Sequence, residues 1–490
     1  MNNRQGKFLL GVSIVCFSLV AAVAFAQTPP EPGASPGVVL VNISNNKPNA
    51  TSALPTVVVS PTNDNLVAFA WRRYALPIDT NALKGVRVAD CHVSVSRDGG
   101  KTFNDTNLMP QLRNEGTPGD ATKPSMWYCN LPWAAISADG TIYAGGSTFT
   151  AGGTVQVDPK QGRAQAATST DGGKTWSKGV WTASLDRVGP GIKSYKDGAK
   201  PEDTPWDGSK GFVDAATGTL YVTTGGIVAS TDKGKTFGTL YRAAANGFMA
   251  NGGGRGGRGA AAGAAPAAPT PATARDFAAS HGVVGGATIA STGLVFMASH
   301  DNGATWTGHQ VLAPDAFVST GTNVRTHYPE MAADPSHAGR FAIVTYTPDS
   351  KSVQVSYTED EGATWKTAKV GPLPEGIDKT ILQADQPGVG YTTDGQILVA
   401  WRVQRNIGVY NIFAALLNGN AFGTTIKLNP EPSIYPALTY VGNYNQTSGG
   451  GDFFSTIQGN HTTAFVGFPY APRGVVQDDW LARIPLAMMK

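Results

Sequence analysis

The amino-acid sequence predicts an all-β fold made of repeated units, on the basis of its composition and of one recurring octapeptide. Glycine accounts for 60 and proline for 32 of the 490 residues, whereas only 15% of the residues are charged. Long helices favour Ala, Leu, Glu and Lys, so this composition argues against helical bundles and coiled coils. The 41% of hydrophobic residues suffices for a large core and argues against a disordered chain. A turn-rich globular protein remains, and an all-β architecture accounts for it best.

The octapeptide occurs five times, and each copy reads Ser or Thr, any residue, Asp, any residue, Gly, any residue, Thr and then Trp or Phe. Successive aspartates are 73, 61, 69 and 59 residues apart, and the five are Asp98, Asp171, Asp232, Asp301 and Asp360. An Asp side chain accepts hydrogen bonds from turn amides, and Gly adopts the positive φ that other residues resist. The pattern therefore predicts five tight hairpins in which these aspartates stabilise the turn and take no part in catalysis.

These octapeptides resemble Asp boxes (BNR repeats), and the chain after its N-terminal segment is similar in this respect to the sialidase-like β-propeller superfamily. The resemblance implies blades of four antiparallel strands, with the Asp box joining the third strand to the fourth. Ligands would then bind at the opposite end of the central channel, where the first strands begin.

Five X-Pro pairs are interpreted as blade openings, namely Leu54-Pro55, Leu131-Pro132, Thr204-Pro205, Tyr328-Pro329 and Gln386-Pro387. Seven blades are expected, with six as the alternative, because the fourth is short enough to be a decoration. Their predicted bounds are 54–115, 128–185, 203–245, 277–315, 327–371, 384–428 and 434–486, and the last two lack an Asp box. Residues 38–43 are expected to add a strand to the last blade, which would close the ring and remove sheet edges.

Residues 1–26 read as a cleavable signal peptide, so the propeller domain would span residues 27–490. An apolar stretch ends in Ala24-Phe25-Ala26, the small-x-small pattern of a cleavage site. This predicts a secreted or periplasmic protein, and an uncleaved membrane anchor is the alternative. A disordered insertion is expected at about 246–276, because its core is composed mainly of Gly, Ala and Pro.

Charge and cysteine content limit the partners and cofactors that the chain is expected to have. Without Arg4 and Lys7 of the signal peptide, the 38 basic residues fall to 36 against 35 acidic ones, which favours neither nucleic acid nor an anionic membrane as partner. No second apolar run is long enough for a membrane span. We expect a monomer that binds carbohydrate and uses no cofactor or metal. Cys91 and Cys129 are expected to form a disulfide in an exported protein, with two free thiols as the alternative.

Arginines recur at the predicted ligand end of the channel. Arg72 and Arg73 follow the strand that ends in Trp71, and Arg402, with Arg405 nearby, follows the strand that ends in Trp401. Converging arginines suit the recognition of a carboxylate by paired hydrogen bonds. For each arginine, a solvated loop position or a local ion pair is the alternative.

The resemblance also implies catalytic residues, because sialidases hold a substrate carboxylate with three arginines, pair a Tyr nucleophile with a Glu and use an Asp as acid/base. The matching positions here are Arg72 or Arg73, Arg325 and Arg402 for the arginines, Glu330 for the Glu, Tyr435 or Tyr444 for the Tyr, and Asp79 or Asp90 for the Asp. The N-terminal signature of that family, an aromatic residue followed by Arg-Ile-Pro, is absent, and this leaves the assignment open.

Aromatic residues near the blade openings offer a second kind of site. Trp133, His327 and Tyr328 would stack on sugar rings if their faces were accessible, and packing between blades is the alternative. Tyr328 beside His327 would also suit proton abstraction in a polysaccharide lyase. The predicted function is a glycoside hydrolase acting on an acidic sugar or anionic polysaccharide; the alternatives are a non-catalytic glycan- or protein-binding propeller and a lyase.

Overall fold

Antiparallel strands form almost all regular structure of the computed structural model. The structure describes residues 33–45, 50–75, 89–112, 127–150, 164–198, 210–223, 226–249, 271–274, 276–318, 329–377, 381–406, 409–434, 456–472 and 477–490. The predicted signal peptide lies outside these ranges. None of the described helices is long and apolar enough to cross a membrane.

The first half of the described chain begins with β1 (Val39–Asn42) and continues into three sheets. Blade 1 consists of β2 (Ala50–Val59), β3 (Val67–Ala75), β4 (Ala89–Ser96) and β5 (Asn104–Asn107), followed by the one-turn helix α1 (Met109–Leu112). Blade 2 consists of β6 (Trp127–Ile136), β7 (Ile142–Thr150), β8 (Ala164–Ser169) and β9 (Val180–Trp181). Blade 3 has three strands, β10 (Gly211–Val213), β11 (Leu220–Thr223) and β12 (Ile227–Ser230), and Ile227 also forms an isolated bridge with Tyr241.

A two-stranded ribbon of β13 (Ala244–Met249) and β14 (Pro271–Thr273) leads from blade 3 to blade 4. These two strands lie at the edges of the predicted disordered insertion. The predicted bounds of 246–276 include residues of both strands, which pair at Ala244 with Thr273 and at Met249 with Pro271. The segment between them lies outside the described residues.

The second half of the chain adds three four-stranded blades and one six-stranded blade. Blade 4 consists of β15 (Asp276–Ser280), β16 (Val283–Ala290), β17 (Gly293–Ser299) and β18 (Thr307–Leu312), and blade 5 of β19 (Glu330–Ala333), β20 (Phe341–Tyr346), β21 (Val353–Thr358) and β22 (Lys366–Lys369). Blade 6 consists of β23 (Gln383–Tyr391), β24 (Ile397–Asn406) and β25 (Val409–Asn418), whose outer edge pairs with β26 (Ala421–Phe422), β27 (Ile426–Lys427) and β28 (Ser433–Ile434). Blade 7 consists of β29 (Thr456–Gly459), β30 (Thr463–Tyr470), β31 (Asp478–Pro485) and the N-terminal β1.

The sheets are arranged in a closed ring, which confirms the predicted all-β propeller. The first strands contact one another in the order β2, β6, β10, β15, β19, β23, β29 and back to β2. Blades 4, 5 and 7 are separate four-stranded antiparallel sheets, blades 1 and 2 share one eight-stranded sheet through the pairing of β4 with β6, blade 6 has six strands and blade 3 has three. Blade 3 is thus the incomplete member of the ring, and blade 4, which would be a decoration only in the six-bladed alternative, has all four strands. Val39 pairs with Arg483 and Asn42 with Trp480, so β1 closes the ring as predicted.

Hydrophobic side chains fill the spaces between the blades. In the described ranges the core consists of seven clusters, each formed by two neighbouring blades. Strands such as β17, β20 and β21 are buried on both faces because blades cover them from both sides. This packing leaves little room for charge and accounts for the low charged fraction of the sequence.

All five Asp boxes form the same turn, and each follows the third strand of its blade. In the box of blade 2, Asp171 Oδ1 accepts hydrogen bonds from Ser169 Oγ at 2.9 Å and from the Thr175 amide at 3.0 Å, and Oδ2 accepts one from Thr175 Oγ1 at 2.6 Å. The hydrogen bonds from the threonine lower the pKa of Asp232 and Asp360 to about 2. These carboxylates are occupied within their own turns, at the end of the ring opposite the starts of the first strands.

Candidate functional site

The first strands of blades 3, 4 and 5 bring three charged residues together at the channel end opposite the Asp boxes. Lys210 immediately precedes β10, Asp276 is the first residue of β15 and Glu330 is the first residue of β19. Lys210 Nζ donates to Asp276 Oδ1 at 2.8 Å and to Oδ2 at 3.0 Å, and lies 3.5 Å from the Met331 carbonyl oxygen. The Met331 amide donates to Asp276 Oδ2 at 2.7 Å, so the carboxylate joins three blades.

Burial and charge act together on the ionisation of this cluster. Burial and the negative charge of Asp276 raise the pKa of Glu330 well above its usual value, and the positive charge of Lys210 opposes them. Burial lowers the pKa of Lys210, but the charges of Asp276 and Glu330 more than compensate and raise it overall. The cluster is not sealed from solvent: the Lys210 side chain is 38% exposed and Glu330 is half-buried, whereas Asp276 is buried. Glu330 is therefore an accessible carboxyl group that retains its proton to a higher pH than an ordinary glutamate.

Blades 1, 2 and 6 differ from this arrangement because their first strands are longer and interrupted. The residue before proline has a positive φ in each, +62° at Leu54, +48° at Leu131 and +45° at Gln386, and the strand register shifts there. Positive φ is unfavourable for residues other than glycine, and proline restricts the preceding residue further, so each bulge is a strained conformation held by its sheet.

The prolines of these three blades are therefore not blade openings. Their first strands begin earlier, at Ala50, Trp127 and Gln383, and pair with the second strand beyond the bulge. Bulges supply one extra residue and re-aim the following strand, which explains why the X-Pro pattern recurs at the same structural position. Pro329 does stand at an opening, immediately before β19, and Thr204-Pro205 lies outside the described residues.

Arg72 and Arg402 occupy equivalent positions in these extended hairpins. Arg72 lies opposite Ala53 and Arg402 opposite Asp385, in both cases the residue before the bulge. Both arginines are buried, at 0% and 2% exposure. The Arg402 guanidinium lies 4.4 Å from the centre of the Tyr410 ring. These two arginines are thus part of the interior of their blades and not solvated loop residues.

Arg72 belongs electrostatically to the boundary between blades 1 and 7. Burial and the charge of Asp478 raise the pKa of Asp479 well above its usual value, while the charge of Arg72 lowers it. Glu330, by contrast, has its charged neighbours in blades 3 and 4. Whether Arg72 and Glu330 belong to one pocket, as the sialidase-like arrangement implies, stays a prediction.

Arg73, Arg405 and Asp90 are partly exposed, on strands at the channel end opposite the Asp boxes. Arg73 lies opposite Asp90 on the neighbouring strands β3 and β4 of blade 1. Arg405 is near the C-terminal end of β24, in the part of the hairpin that extends beyond the bulge of blade 6. These residues lie on the extended hairpins and not in the charged cluster.

Trp133 is a core residue and not a platform for sugar stacking. Its side chain is 1% exposed. A Cβ atom on Gly145 would lie 2.6 Å from the Trp133 ring and one on Gly211 would lie 2.0 Å from it, so the two glycines make room for the indole between blades 2 and 3. The alternative reading, packing between blades, is the one that the structure supports.

Four candidates lie outside the described residues, and the structure says nothing of them: Arg325, His327, Tyr328 and Tyr435. The same holds for Tyr444 and Asp79. Lys210 and Asp276 were missed by sequence reasoning. Their common signal is position, because all three charged residues stand at or directly before the start of a first strand. Asp276 has no X-Pro pair beside it, so the proline pattern that predicted blade openings does not find it.

Cys91 and Cys129 form a disulfide that joins β4 of blade 1 to the extension of β6 in blade 2. A parallel bridge between Ala89 and Tyr128 lies beside it. The disulfide thus ties two blades together at the ligand end. Within the described ranges, no group of three or more His, Cys, Asp or Glu side chains is arranged to hold a metal ion.

Comparison with known proteins identifies the repeat. The BNR/Asp-box repeat model matches residues 167–178, which contain the Asp box of blade 2. No curated protein sequence matches the chain significantly.

Several solved structures have a similar architecture. A protein of unknown function from Dyadobacter fermentans is 14% identical, with a TM-score of 0.44 over 92% of this chain and 99% of that one. A Trypanosoma rangeli sialidase bound to a difluorinated nononic acid is 13% identical, with a TM-score of 0.41 over 93% of this chain and 60% of that one. A NanB sialidase variant from Streptococcus pneumoniae is 12% identical, with a TM-score of 0.40 over 93% and 71%. Likeness at these levels carries no argument about activity. The repeats and the closed ring of sheets together identify the chain as an Asp-box (BNR) repeat β-propeller protein.

Proposed function

We propose that this protein is a glycan-active enzyme, a glycoside hydrolase acting on an acidic sugar or anionic polysaccharide, and that Glu330 is its acid catalyst. The observation that carries the proposal is the cluster of Lys210, Asp276 and Glu330 at the ligand end of the channel. A glycosidic oxygen leaves more readily when a carboxylic acid protonates it, and a raised pKa keeps the acid protonated near neutral pH.

The surroundings of Glu330 fit an anionic substrate. The partly exposed Lys210 ammonium lies beside it, and Arg73 and Arg405 are partly exposed on other blades at the same end of the ring. Cations near an acid catalyst favour binding of a carboxylate or sulfate and leave the acid itself free to donate its proton.

The test is turnover of a panel of sialosides, uronic-acid glycosides and anionic polysaccharides by the wild type and by Glu330→Gln. We expect Glu330→Gln to lower kcat by about 100- to 10,000-fold, the usual contribution of a general acid. Activity of the wild type should fall as pH rises through the raised pKa of Glu330, because the proton is then lost. The matched control is Glu361→Gln, in the Asp box of blade 5, where Glu361 Oε2 lies 3.2 Å from His300 Nε2.

Each alternative has its own outcome in this assay. Glycan binding without any product would identify a non-catalytic propeller, and an unsaturated product absorbing in the ultraviolet would identify a lyase. Full activity of Glu330→Gln would remove Glu330 from the mechanism.

A further inference from the structure

The three charged residues of the channel cluster come from three consecutive blades but do not have equal roles. Asp276 is buried, and both of its oxygens accept hydrogen bonds from the protein, two from Lys210 and one from the Met331 amide. A carboxylate held in this way has little freedom to turn towards a substrate. Glu330, the other carboxyl group of the cluster, is half-buried.

The hydrogen bond from the Met331 amide to Asp276 also affects the position of Glu330. Met331 directly follows Glu330 in β19, so the 2.7 Å hydrogen bond to Asp276 fixes the backbone from which the Glu330 side chain projects. Asp276 therefore acts on Glu330 through the backbone beside it, and its negative charge raises the pKa of the Glu330 carboxyl group.

Lys210 and Asp276 act on the proton of Glu330 in opposite directions. The charge of Asp276 raises the pKa of Glu330, and the charge of Lys210 lowers it. Among the described residues these are the charges that act on Glu330. On its other side β19 contacts β23, which begins with Gln383, and Glu330 lies opposite Val344 of β20. The structure does not describe the side chain of Asp385 in β23.

We propose that Asp276 and Lys210 are positioning residues for Glu330, Asp276 fixing the backbone beside Glu330 through the Met331 amide and Lys210 fixing and neutralising Asp276. This role rests on the proposed function, in which Glu330 donates that proton to the substrate. Neither Asp276 nor Lys210 needs to touch the reacting atoms. The trio is then a unit distributed over three blades, and its geometry depends on the ring being closed.

The experiment follows the protonation of Glu330 directly, without substrate. Carboxyl infrared difference spectra between the full-length protein and its Glu330→Gln variant would be recorded across the pH range, in the wild-type background and in Asp276→Asn and Lys210→Met backgrounds. A neighbouring charge at this range shifts a carboxyl pKa by about one unit or more. We expect the Glu330 midpoint to fall by about one pH unit or more in Asp276→Asn and to rise by a similar amount in Lys210→Met.

The matched control is Lys366→Met, since Lys366 is in the same ring but pairs with Glu359 at 3.2 Å in blade 5. It should leave the midpoint unchanged. Midpoints that do not move, or that move in the same direction in both variants, would overturn the proposal. Thermal unfolding of each variant checks that the ring is intact.

The same measurements separate this inference from the proposed function. Opposite shifts in a protein that turns over no glycan would support the positioning roles and remove the enzyme assignment. Loss of turnover in Glu330→Gln, with no shift of the Glu330 midpoint in the Asp276→Asn and Lys210→Met backgrounds, would support the enzyme assignment and overturn the positioning roles. In an active enzyme, the high-pH limb of kcat should move with the spectroscopic midpoint in both variants.

Discussion

The end of the ring opposite the Asp boxes has two regions, and they use polar residues in different ways. In blades 3 to 5, first strands are short and begin with or directly after charged residues that contact one another, Lys210, Asp276 and Glu330. In blades 1, 2 and 6, first strands are ten, ten and nine residues long and carry a bulge before proline. Their characteristic polar residues, Arg72 and Arg402, are buried within the sheets.

Under the proposed function, blades 3 to 5 carry the reactive residues and the extended hairpins of blades 1, 2 and 6 stabilise the ring. Lys210 and Glu330 stay partly accessible while Asp276 between them is buried, and in the proposed function the ionisation of Glu330 serves catalysis. The extended hairpins bury aromatic and guanidinium groups, and a disulfide fastens one of them to its neighbour. Changes in the supporting hairpins should therefore lower stability, and changes in the charged cluster should lower activity.

The largest effect on stability is expected from Trp401→Ala in blade 6. Trp401 is fully buried beside Arg402 and packs against Phe413, with ring centres 5.9 Å apart. Removing a buried indole and leaving a cavity costs about 3–5 kcal/mol of unfolding free energy, which denaturant titration would measure. Glu330→Gln is the contrasting variant: it replaces a half-buried carboxyl group with a neutral isostere and should change stability by about 0.5 kcal/mol or less. Equal losses in both would erase the distinction between the two regions.

A smaller loss is expected when the disulfide is removed. Cys91 and Cys129 are separated by 38 residues, and closing a loop of this size stabilises a protein by about 2–4 kcal/mol, chiefly through the unfolded chain. The double variant Cys91→Ala with Cys129→Ala should therefore unfold at lower denaturant concentration, and reduction of the wild type should have the same effect. As the control, reductant should not change the denaturant concentration at which the double variant unfolds. Stability that is unaffected by both treatments would show that the hairpins of blades 1 and 2 need no covalent link.

The smallest effect is expected from a histidine at the opposite end of the ring. His461 of blade 7 lies between Asp64 and Asp394, with Nδ1 2.7 Å from Asp64 and Nε2 3.3 Å from Asp394. The hydrogen bond to Asp64 and both negative charges raise the pKa of His461. A raised pKa means that the folded state favours the charged imidazole, so this contribution is complete below about pH 6.5, the usual histidine value, and is lost as pH rises through the folded value.

Comparing the melting temperature of the wild type with that of His461→Gln from pH 5 to 9 tests this sign. The wild type should have an advantage of about 1 °C at acidic pH that disappears at alkaline pH, since exposed ion pairs contribute little. An advantage that grows with pH would contradict the assignment of a charged His461.

Local chemistry was readable from the sequence because its partners are close along the chain. In an Asp box, the carboxylate, its serine and its threonine lie within seven residues, so five copies predicted five identical turns. The spacing of the copies then indicated the blades, and the β-rich stretch at residues 38–43 indicated how the ring closes. Trp133 illustrates the limit: an aromatic residue near a predicted opening has the same sequence signature whether it faces the channel or the next blade.

The sequence alone determined that the chain forms Asp-box blades in a closed ring, because the residues that form each turn and its flanking strands are close together along the chain. Only the tertiary structure decided which polar side chains meet. Lys210 and Asp276 are 66 residues apart, and Asp276 and the Met331 amide 55 apart, so their contacts depend on the rotation between neighbouring blades. The bulges before proline and the burial of Arg72 and Arg402 arise in the same way, because a strand's register and exposure are fixed by the strands and blades packed against it.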